Sequence, residues 1–295
     1  MAAVLIDGKS VAGKVTEHVR RIVEMLKDKG VEPCLATVLV GNDEASATYV
    51  RNKHMACEQV GIRTINHHLP EDYSANQLME LIEILNEDRR THGILVQLPL
   101  PKHINEFLIT SMIKPSKDVD CLTPFNIGLL AYGVAKLLPC TPSGIVELMK
   151  HYRIDPAGKH AVIVNRSVLV GKPLSMMLLH MDATVTVCHS KTTNLKEKCR
   201  EADILVTAVG DRSRFVLSKD MVKDGAVVID VGIDRVNGRL VGDADTDVRE
   251  KASYITPVPG GVGPMTVAML LRNTVIAAVL NEGIDLDLDA LDVKR

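Results

Sequence analysis

Apolar runs of strand length alternate with helical patterns along most of this 295-residue chain. The runs are nearly continuous and rich in β-branched residues: CLATVLVG (34–41), HGILVQLPL (92–100), HAVIVN (160–165), ATVTVCH (183–189), ADILVTAVG (202–210) and AVVIDVGI (226–233). Strands buried on both faces of a parallel sheet have this composition. The helical patterns cover roughly 10–29, 44–60, 75–88, 142–152, 172–181, 194–201 and 266–281. This alternation predicts an α/β fold with parallel sheets.

The segment from Lys114 to Thr141 interrupts this rhythm with several prolines and glycines. Such punctuation is typical of a boundary, and Thr141 is a plausible cap for the helix that follows. We therefore expect two domains that divide near residue 140. We also expect the last long helix to return and pack on the first domain.

Composition excludes several classes of protein. The formal net charge is −2 with no basic block, and there are five Tyr, three Phe and no Trp. We therefore expect no nucleic-acid partner and no membrane partner.

The six cysteines are scattered, with no CxxC pair or metal-ligand spacing, so they are predicted to be core residues in a reducing compartment. The N-terminus lacks the pattern of a signal peptide, and Arg272 and Asn273 interrupt the apolar stretch near the end. These features predict a cytoplasmic protein.

The segment from 160 to 233 is predicted to bind a dinucleotide. The strand HAVIVN runs through a turn into a helix whose N-terminus can face an anion. The usual GxGxxG is absent, and NRSVLVGKP (165–173) stands in its place. Gly171 and Pro173 suit the start of a helix. The runs TAVG and DVGI contribute glycines where backbone can approach a ligand. A parallel-sheet protein that binds no dinucleotide is the alternative.

The end of the strand ATVTVCH indicates which dinucleotide is bound. Ser190 and Lys191 stand where many NAD enzymes have an acid for the ribose, and Arg166 follows the preceding strand. A carboxylate would repel a 2′-phosphate, whereas a guanidinium can hold it through two hydrogen bonds. The sequence therefore predicts NADP rather than NAD.

Five polar positions in the first half suggest a catalytic pocket. Tyr49 and Lys53 are four residues apart on a predicted helix, so they share one face. Gln97 closes a strand, and Asp118 and Asp120 lie in a later loop. These side chains could converge on a pocket between the domains. Taken singly, a helical lysine is usually a solvated charge and Asp-x-Asp is usually turn chemistry. We expect no metal site, since no third ligand has a supporting spacing.

The segment PVPGGVGPMT (257–266) is a glycine-rich loop that opens a helix. It lacks the GK[ST] ending of a phosphate-binding loop. It is either a tight turn capped by Thr266 or a loop whose bare backbone lies against a flat ligand.

Taken together, these segments resemble the bifunctional methylenetetrahydrofolate dehydrogenase/cyclohydrolase family. The motifs occur in the family's order over most of the chain: ASATYVRNKHMACEQVGI, GILVQLPLP, KDVDCLTPFNIG, PCTPSG, NRSVLVGKP, HSKT, ADILVTAVG, VIDVGI and TPVPGGVGPMTVAMLL. The resemblance implies a catalytic folate domain over 1–139 joined by a C-terminal helix over 266–295. It also implies a Rossmann-like NADP domain over 140–265, a cleft between the two, and a homodimer.

The resemblance further implies a role for each site residue. Lys53 would be the catalytic group, with Gln97 tuning it. Tyr49 would stack on the aminobenzoyl ring of folate, and Asp120 would hold the pterin. The remaining substrate contacts would be Val96, Leu98, Pro259, Gly260, Gly261, Val262 and Gly263. The NADP contacts would be Asn165, Arg166, Ser167, Ser190, Ile233 and Thr266.

Two positions depart from the family pattern, which commonly has glycine at each of them. At Asn165 the turn could survive, because asparagine tolerates a positive φ better than most residues. At Cys121, next to Asp120, the pterin loop could shift.

The implied chemistry has two steps and belongs to one-carbon metabolism that supplies purine biosynthesis. A hydride passes from 5,10-methylenetetrahydrofolate to NADP, and water then converts the methenyl product to 10-formyltetrahydrofolate. A lysine with its usual pKa of roughly 10.4 is a poor base near neutral pH, but burial and a cationic substrate both favour the neutral amine. Three alternatives remain open: a dehydrogenase acting on another carrier such as a methanopterin, a monofunctional dehydrogenase, and a non-catalytic dinucleotide-binding regulator.

Overall fold

The computed structural model describes residues 3–285 and divides into two compact units. The three-stranded unit comprises Gly13–Cys140 and the segment that starts at Val267. The six-stranded unit comprises the residues up to Ala12 together with Thr141–Thr266. Residues 286–295 of the predicted final helix lie outside the described part of the chain.

The described residues form the following elements. The strands are β1 (Val4–Leu5), β2 (Cys34–Val40), β3 (Arg63–Leu69), β4 (Gly93–Val96), β5 (His160–Val164), β6 (Thr184–Cys188), β7 (Ile204–Thr207), β8 (Val227–Asp230), β9 (Asp234–Val236), β10 (Arg239–Val241) and β11 (Tyr254–Ile255). The helices are α1 (Gly8–Asp28), α2 (Glu44–Val60), α3 (Ala75–Glu87), α4 (Glu106–Ser111), α5 (Pro124–Ala131), α6 (Cys140–His151), α7 (Gly171–Leu179), α8 (Leu195–Arg200) and α9 (Val262–Asn281).

The three-stranded unit is built on a parallel sheet of order β3-β2-β4. Every residue of β2 is buried, because helices cover both faces of this central strand. One face packs on α3 and α4 through aliphatic side chains that include Val38, Leu78, Ile82 and Ile109. The edge strand β3 escaped the sequence prediction, since its run RTINHHL is polar and only partly buried.

The six-stranded unit is built on a parallel sheet of order β1-β11-β8-β7-β5-β6. Its central strands β7 and β8 are entirely buried. A short antiparallel hairpin, β9-β10, lies outside this sheet. The predicted α/β class with parallel sheets is confirmed.

One boundary prediction needs correction. The residues up to Ala12 were assigned to the first domain, but β1 pairs in parallel with β11 of the six-stranded sheet. A two-residue strand carries too little pattern to be read from sequence, and its partner is about 250 residues away along the chain.

Local capping explains where several helices begin. Asp43 accepts a hydrogen bond from the Ser46 amide at 2.7 Å and starts α2, and Gly61 ends that helix at φ 82°. Thr123 caps α5 ahead of Pro124, which turns the proline into a helix start. Thr141 is not a cap as predicted: α6 begins at Cys140, so Thr141 lies inside its first turn.

Helix α9 is long and apolar enough to cross a bilayer, but 72% of its apolar window is buried inside the protein, as in a core helix. It begins at Val262, inside the glycine-rich loop. The Nδ2 atom of Asn273 donates to the carbonyls of Val119 and Leu138, both at 2.7 Å. These bonds fasten α9 to the loop that carries Asp120.

Candidate active site and nucleotide site

Lys53 and Gln97 are joined by a direct hydrogen bond in the three-stranded unit. Lys53 lies on α2, and its Nζ atom donates to Oε1 of Gln97 at 3.0 Å. The Gln97 amide also donates through Nε2 to the carbonyl of Leu98 at 2.7 Å, and its backbone N–H donates to Val38 at 2.8 Å. Because Nε2 is engaged, the carbonyl oxygen of the side chain faces the lysine. Lys53 is half-buried, so it is not the solvated surface charge that a lysine on a helix usually is.

Tyr49 lies one turn before Lys53 on the same face of α2. Its side chain is 45% exposed, which leaves the flat ring available for contact. The aromatic face and the amine therefore lie next to each other on one helix.

Asp120 is half-buried, and both Asp120 and Lys53 act electrostatically on the thiol of Cys140. Burial raises the pKa of Cys140 well above its usual value; the Asp120 carboxylate raises it further, and Lys53 opposes this. The structure thus brings the predicted lysine, glutamine and second aspartate into one neighbourhood. Cys140 itself was not identified as part of it from sequence.

Asp118 has a structural role instead. It is 1% exposed, and its two oxygens accept hydrogen bonds from the amides of Leu122 and Thr123 and from Nδ2 of Asn126. These bonds fold the loop after Asp120. Cys121 adopts φ 61°, a left-handed conformation that glycine takes without strain, which accounts physically for the glycine expected at this position.

The structure places two other predicted substrate contacts beside Gln97. The side chain of Val96, at the end of β4, is 3% exposed and belongs to the core, and Leu98 packs on the same core. The group that reaches Gln97 is the Leu98 carbonyl, which accepts a hydrogen bond from Gln97 Nε2.

Four of the predicted cofactor residues line one pocket at the carboxyl edge of the six-stranded sheet. The cavity measures about 320 Å³. It is lined by Val164, Asn165, Arg166, Ser167, His189, Ser190, Leu195, Ala208, Val209, Arg214 and Phe215. Two guanidinium groups, hydroxyls and apolar side chains in one pocket suit a ligand with both a phosphate and an aromatic base.

Asn165 does not adopt a positive φ, so the turn does not need the tolerance for that conformation that asparagine offers. Its Nδ2 donates to the carbonyl of Ala208 at 2.6 Å, and its Oδ1 accepts from the amides of Ser167 at 2.7 Å and Gly171 at 3.0 Å. The asparagine therefore ties the β5 turn to the segment after β7. A Cβ atom on Gly171 would lie 2.1 Å from the Asn165 carbonyl oxygen, so glycine is required there.

The start of α7 differs from the predicted anion site. The amides of Val170, Gly171 and Lys172 donate to Ser167 Oγ, Asn165 Oδ1 and the Ser167 carbonyl, respectively. Since these N–H groups are already engaged within the protein, the exposed side chain of Arg166 is the stronger anion ligand at this turn.

The other predicted contacts in the six-stranded unit lie outside the lining of this pocket. Ile233, 40% exposed, follows β8, and Thr266 Oγ1 lies 2.9 Å from Thr141 Oγ1. In the loop Pro259–Gly263, the carbonyl of Gly260 accepts from the Lys9 amide at 3.0 Å. A Cβ atom on Gly8 would lie 1.8 Å from the Gly261 oxygen, so the N-terminal segment fixes this loop by close backbone packing.

Sequence reasoning missed part of the pocket wall. Arg214 and Phe215 lie in an irregular segment after β7 with no motif to mark them. His189 belongs to the HSKT motif, but no feature of the sequence pointed to a role for it in the pocket. Within residues 3–285, no group of three or more His, Cys, Asp or Glu side chains is arranged to hold a metal ion.

Two family models of known proteins match this chain. The family model described as "Tetrahydrofolate dehydrogenase/cyclohydrolase, catalytic domain" matches residues 6–120. The model described as "Tetrahydrofolate dehydrogenase/cyclohydrolase, NAD(P)-binding domain" matches residues 139–282. The chain belongs to this family.

Relatives of the family match nearly the whole chain. "Bifunctional protein FolD" of Nitrosopumilus maritimus is 58% identical, covering 96% of this chain and 99% of that protein. The crystal structure of the bifunctional FolD enzyme from Campylobacter jejuni is 51% identical with a TM-score of 0.91, covering 94% of this chain and 99% of that one. The Trypanosoma brucei enzyme, solved with NADP and an inhibitor, is 40% identical with a TM-score of 0.89, covering 94% and 98%.

Membership of the tetrahydrofolate dehydrogenase/cyclohydrolase family confirms several predictions. The chain is a bifunctional enzyme, a methylenetetrahydrofolate dehydrogenase and methenyltetrahydrofolate cyclohydrolase, with NADP as cofactor. The alternative of a non-catalytic regulator is therefore set aside. The roles of individual residues remain predictions.

Proposed function

We propose that Lys53 is the proton-transferring group of the cyclohydrolase step and that Gln97 positions it. The observation that carries this proposal is the 3.0 Å bond from Lys53 Nζ to Gln97 Oε1, with the orientation of the glutamine fixed by Leu98. A side-chain carbonyl accepts a hydrogen bond from an amine in either protonation state. A carboxylate at the same place would favour the ammonium. Gln97 therefore holds the amine without trapping its proton.

The methenyl substrate is a cation, which disfavours an ammonium beside it. The neutral amine of Lys53 can then take a proton from water as it attacks the one-carbon bridge and return a proton when the ring opens. Tyr49 offers a flat face for the aminobenzoyl ring, and Asp120 offers a carboxylate that can accept hydrogen bonds from the pterin. This assigns the four predicted catalytic residues distinct tasks.

Additional folate contacts are assigned to backbone segments. Val96 and Leu98 flank Gln97 in the chain, and the Leu98 carbonyl accepts a hydrogen bond from the Gln97 side chain that faces the amine. The loop Pro259–Gly263 contributes a glycine-rich backbone, in which Pro259 and Gly263 are exposed while Gly261 and Val262 are buried. A backbone that carries few side chains can lie close to a flat ring.

For the dehydrogenase step we assign the nucleotide to the pocket at the carboxyl edge of the six-stranded sheet. Arg166, with the hydroxyls of Ser167 and Ser190, binds the 2′-phosphate, while Asn165 orders the turn beneath it. Ile233 and Thr266 contact the rest of the cofactor. When bound, NADP accepts the hydride; the protein's part is to bind and orient the reactants.

We also propose that the enzyme is a cytoplasmic homodimer that supplies 10-formyltetrahydrofolate to purine biosynthesis, without a membrane or nucleic-acid partner. Six buried free cysteines agree with a reducing compartment. Phe125, Tyr132 and Val134 are 60%, 84% and 61% exposed within ten residues, an apolar surface of the kind that a second copy covers. Sedimentation velocity at several protein concentrations tests the dimer, and a purely monomeric species contradicts it.

One assay tests the whole assignment. The purified enzyme is given methylenetetrahydrofolate with NADP or NAD, and the methenyl absorbance is followed as it rises and decays. We expect a rise that is faster with NADP and a decay that the enzyme accelerates. A rise without accelerated decay would indicate a monofunctional dehydrogenase. The same assay is run with the methanopterin analogue of the substrate, and a faster reaction with that analogue would mean that the one-carbon carrier is a methanopterin.

A further inference from the structure

Two aspartates with no part in the proposed mechanism are buried at the carboxyl edge of the six-stranded sheet. Asp230 ends β8 and is 3% exposed, and Asp243 follows β10 and is 0% exposed. Burial raises the pKa of both carboxyls, that of Asp230 to about 6, and each is surrounded by backbone N–H groups. Buried carboxylates are costly to keep, so their contacts show what they hold in place.

Asp243 holds the segment that follows β7. Its Oδ2 accepts from the Val209 amide at 2.8 Å and its Oδ1 from the Gly210 amide at 2.9 Å. Val209 and its neighbour Ala208 line the nucleotide pocket. One carboxylate therefore fixes the backbone of a pocket-lining residue, next to the Ala208 carbonyl that Asn165 holds.

Asp230 holds the segment that follows β8. Its Oδ1 accepts from the amides of Gly232 at 3.1 Å and Asp243 at 3.0 Å, and its Oδ2 from that of Ala244 at 2.8 Å. Its backbone N–H donates to the Thr256 hydroxyl at 2.7 Å, directly before the loop that contains Pro259. Asp230 thus joins the segment that carries Ile233 to the base of the glycine-rich loop.

Close packing shows that the carboxylates lie directly on the backbone. A Cβ atom on Gly232 would lie 2.3 Å from Asp243 Cγ, and one on Gly242 would lie 2.0 Å from Asp230 Oδ2. The hydroxyl of Thr207, at the end of β7, reaches Asp230 Oδ1 at 3.5 Å and lowers the pKa of Asp243 by hydrogen bonding. The positive charge of Arg212 also lowers the pKa of Asp243, and its guanidinium forms an ion pair with Asp245.

We propose that Asp230 and Asp243 are positioning residues for the dehydrogenase step, which set the backbone after β7 and β8 so that the cofactor is bound in a reactive orientation. The proposal rests on the nucleotide pocket assigned above. Apolar residues of similar size would fill the same space at lower cost, but they could not anchor these amides. The carboxylates act through the loops and do not touch the reacting atoms.

The test compares Asp243→Asn with Asp220→Asn, the same change at a surface aspartate that pairs with Lys196. An asparagine at 243 keeps one acceptor and presents an NH₂ group to the other backbone N–H. We expect Asp243→Asn to raise the KM for NADP by about tenfold and to lower dehydrogenase kcat, since small misplacements of reactants are costly. Its cyclohydrolase rate on added methenyltetrahydrofolate should stay at the wild-type level, which also shows that the variant is folded.

Thr207→Val provides a milder second variant, because it keeps the β-branched shape and removes the hydroxyl between the two carboxyls. It should change the KM for NADP in the same direction, whereas Thr207→Ser should restore the wild-type value. A wild-type KM and kcat for NADP in both Asp243→Asn and Thr207→Val would overturn the proposal, even if both variants melted at lower temperature.

Arg166→Ala, measured in parallel, separates this inference from the site assignment. If Arg166→Ala weakens NADP binding while Asp243→Asn does not, the positioning role fails and the pocket stands. If Arg166→Ala leaves NADP binding unchanged, the pocket assignment fails, and the inference that rests on it fails too.

Discussion

Nζ of Lys53 and Oε1 of Gln97 lie 3.0 Å apart although 44 residues separate them in the chain. The contact joins a helix to the end of a neighbouring strand. It is the link between the proposed catalytic amine and the rigid sheet beneath it.

Replacing Lys53 with methionine should abolish most cyclohydrolase turnover. Methionine keeps the apolar length of the side chain and removes the proton-transferring amine, so we expect a loss of about 10²- to 10⁴-fold. The decay of methenyl absorbance measures this step, and NADP titration should give the wild-type affinity. Lys14→Met, on an exposed position of α1, is the matched control. Hydrolysis at the wild-type rate in the Lys53 variant would remove Lys53 from the mechanism.

Gln97→Glu should place a carboxylate where a neutral oxygen now faces the amine. An adjacent negative charge stabilises the ammonium, so cyclohydrolase activity should fall near neutral pH and recover as the pH rises. The pH profile of the hydrolytic rate is the measurement. Gln59→Glu, an exposed change on α2, the helix that carries Lys53, should keep the wild-type profile. An unshifted profile in the Gln97 variant would contradict the role of the glutamine.

Arg166→Ala should weaken NADP far more than NAD. A hydrogen bond to a charged group contributes about 1.5–3 kcal/mol, which corresponds to roughly a ten- to hundredfold loss in affinity. Binding constants for both cofactors, measured at one salt concentration, decide the matter. Arg235→Ala, an exposed arginine in β9, serves as the control. Equal losses for the two cofactors would mean that Arg166 does not contact the 2′-phosphate.

Asp230 should give the folded protein a distinctive dependence on pH. Its pKa is raised from 3.8 to about 6, mainly by burial and also by Asp243, so between these values the folded state binds more protons than the unfolded state. Its contribution to stability is therefore greatest at the acid end and declines as the pH rises from about 4 to 6. The wild-type advantage in unfolding free energy over Asp230→Asn should shrink by on the order of 2 kcal/mol across that range.

Urea unfolding at several pH values measures that difference. Asp220 is the contrasting control: Lys196 and Ser218 lower its pKa to about 2, so its contribution is lost only as the pH falls below about 4. The difference between wild type and Asp220→Asn should stay nearly flat from pH 4 to 7. A flat difference for Asp230→Asn as well would show that its carboxyl titrates normally.

Residues with a strong local pattern were the ones that sequence could place. The fully buried strands β2 and β8 were predicted because each is a continuous apolar run. The helical pattern over 44–60 coincides with α2, which Asp43 and Gly61 bound. The polar strand β3 carries no such pattern, because it is an edge strand that only its neighbour specifies.

Within the site, spacing indicated that Tyr49 and Lys53 share a face, and strand ends pointed to Gln97 and Arg166. Residue spacing could not predict contacts between distant segments of the chain. The amide of Asn165 reaching Ala208 and the carboxylate of Asp243 reaching Val209 depend on how loops from different strands meet. No local rule encodes those meetings.

The two hydrogen bonds of Asn273 have a consequence for biosynthesis. They complete a unit whose sheet is already encoded before residue 97, yet the asparagine that fastens Val119 and Leu138 leaves the ribosome more than a hundred residues later. Similarly, β1 must wait for β11 before it has a partner. During synthesis, the three-stranded unit therefore lacks α9 until the last part of the chain has been made. Until then, the surface that α9 later covers stays exposed on the nascent chain and is open to chaperones.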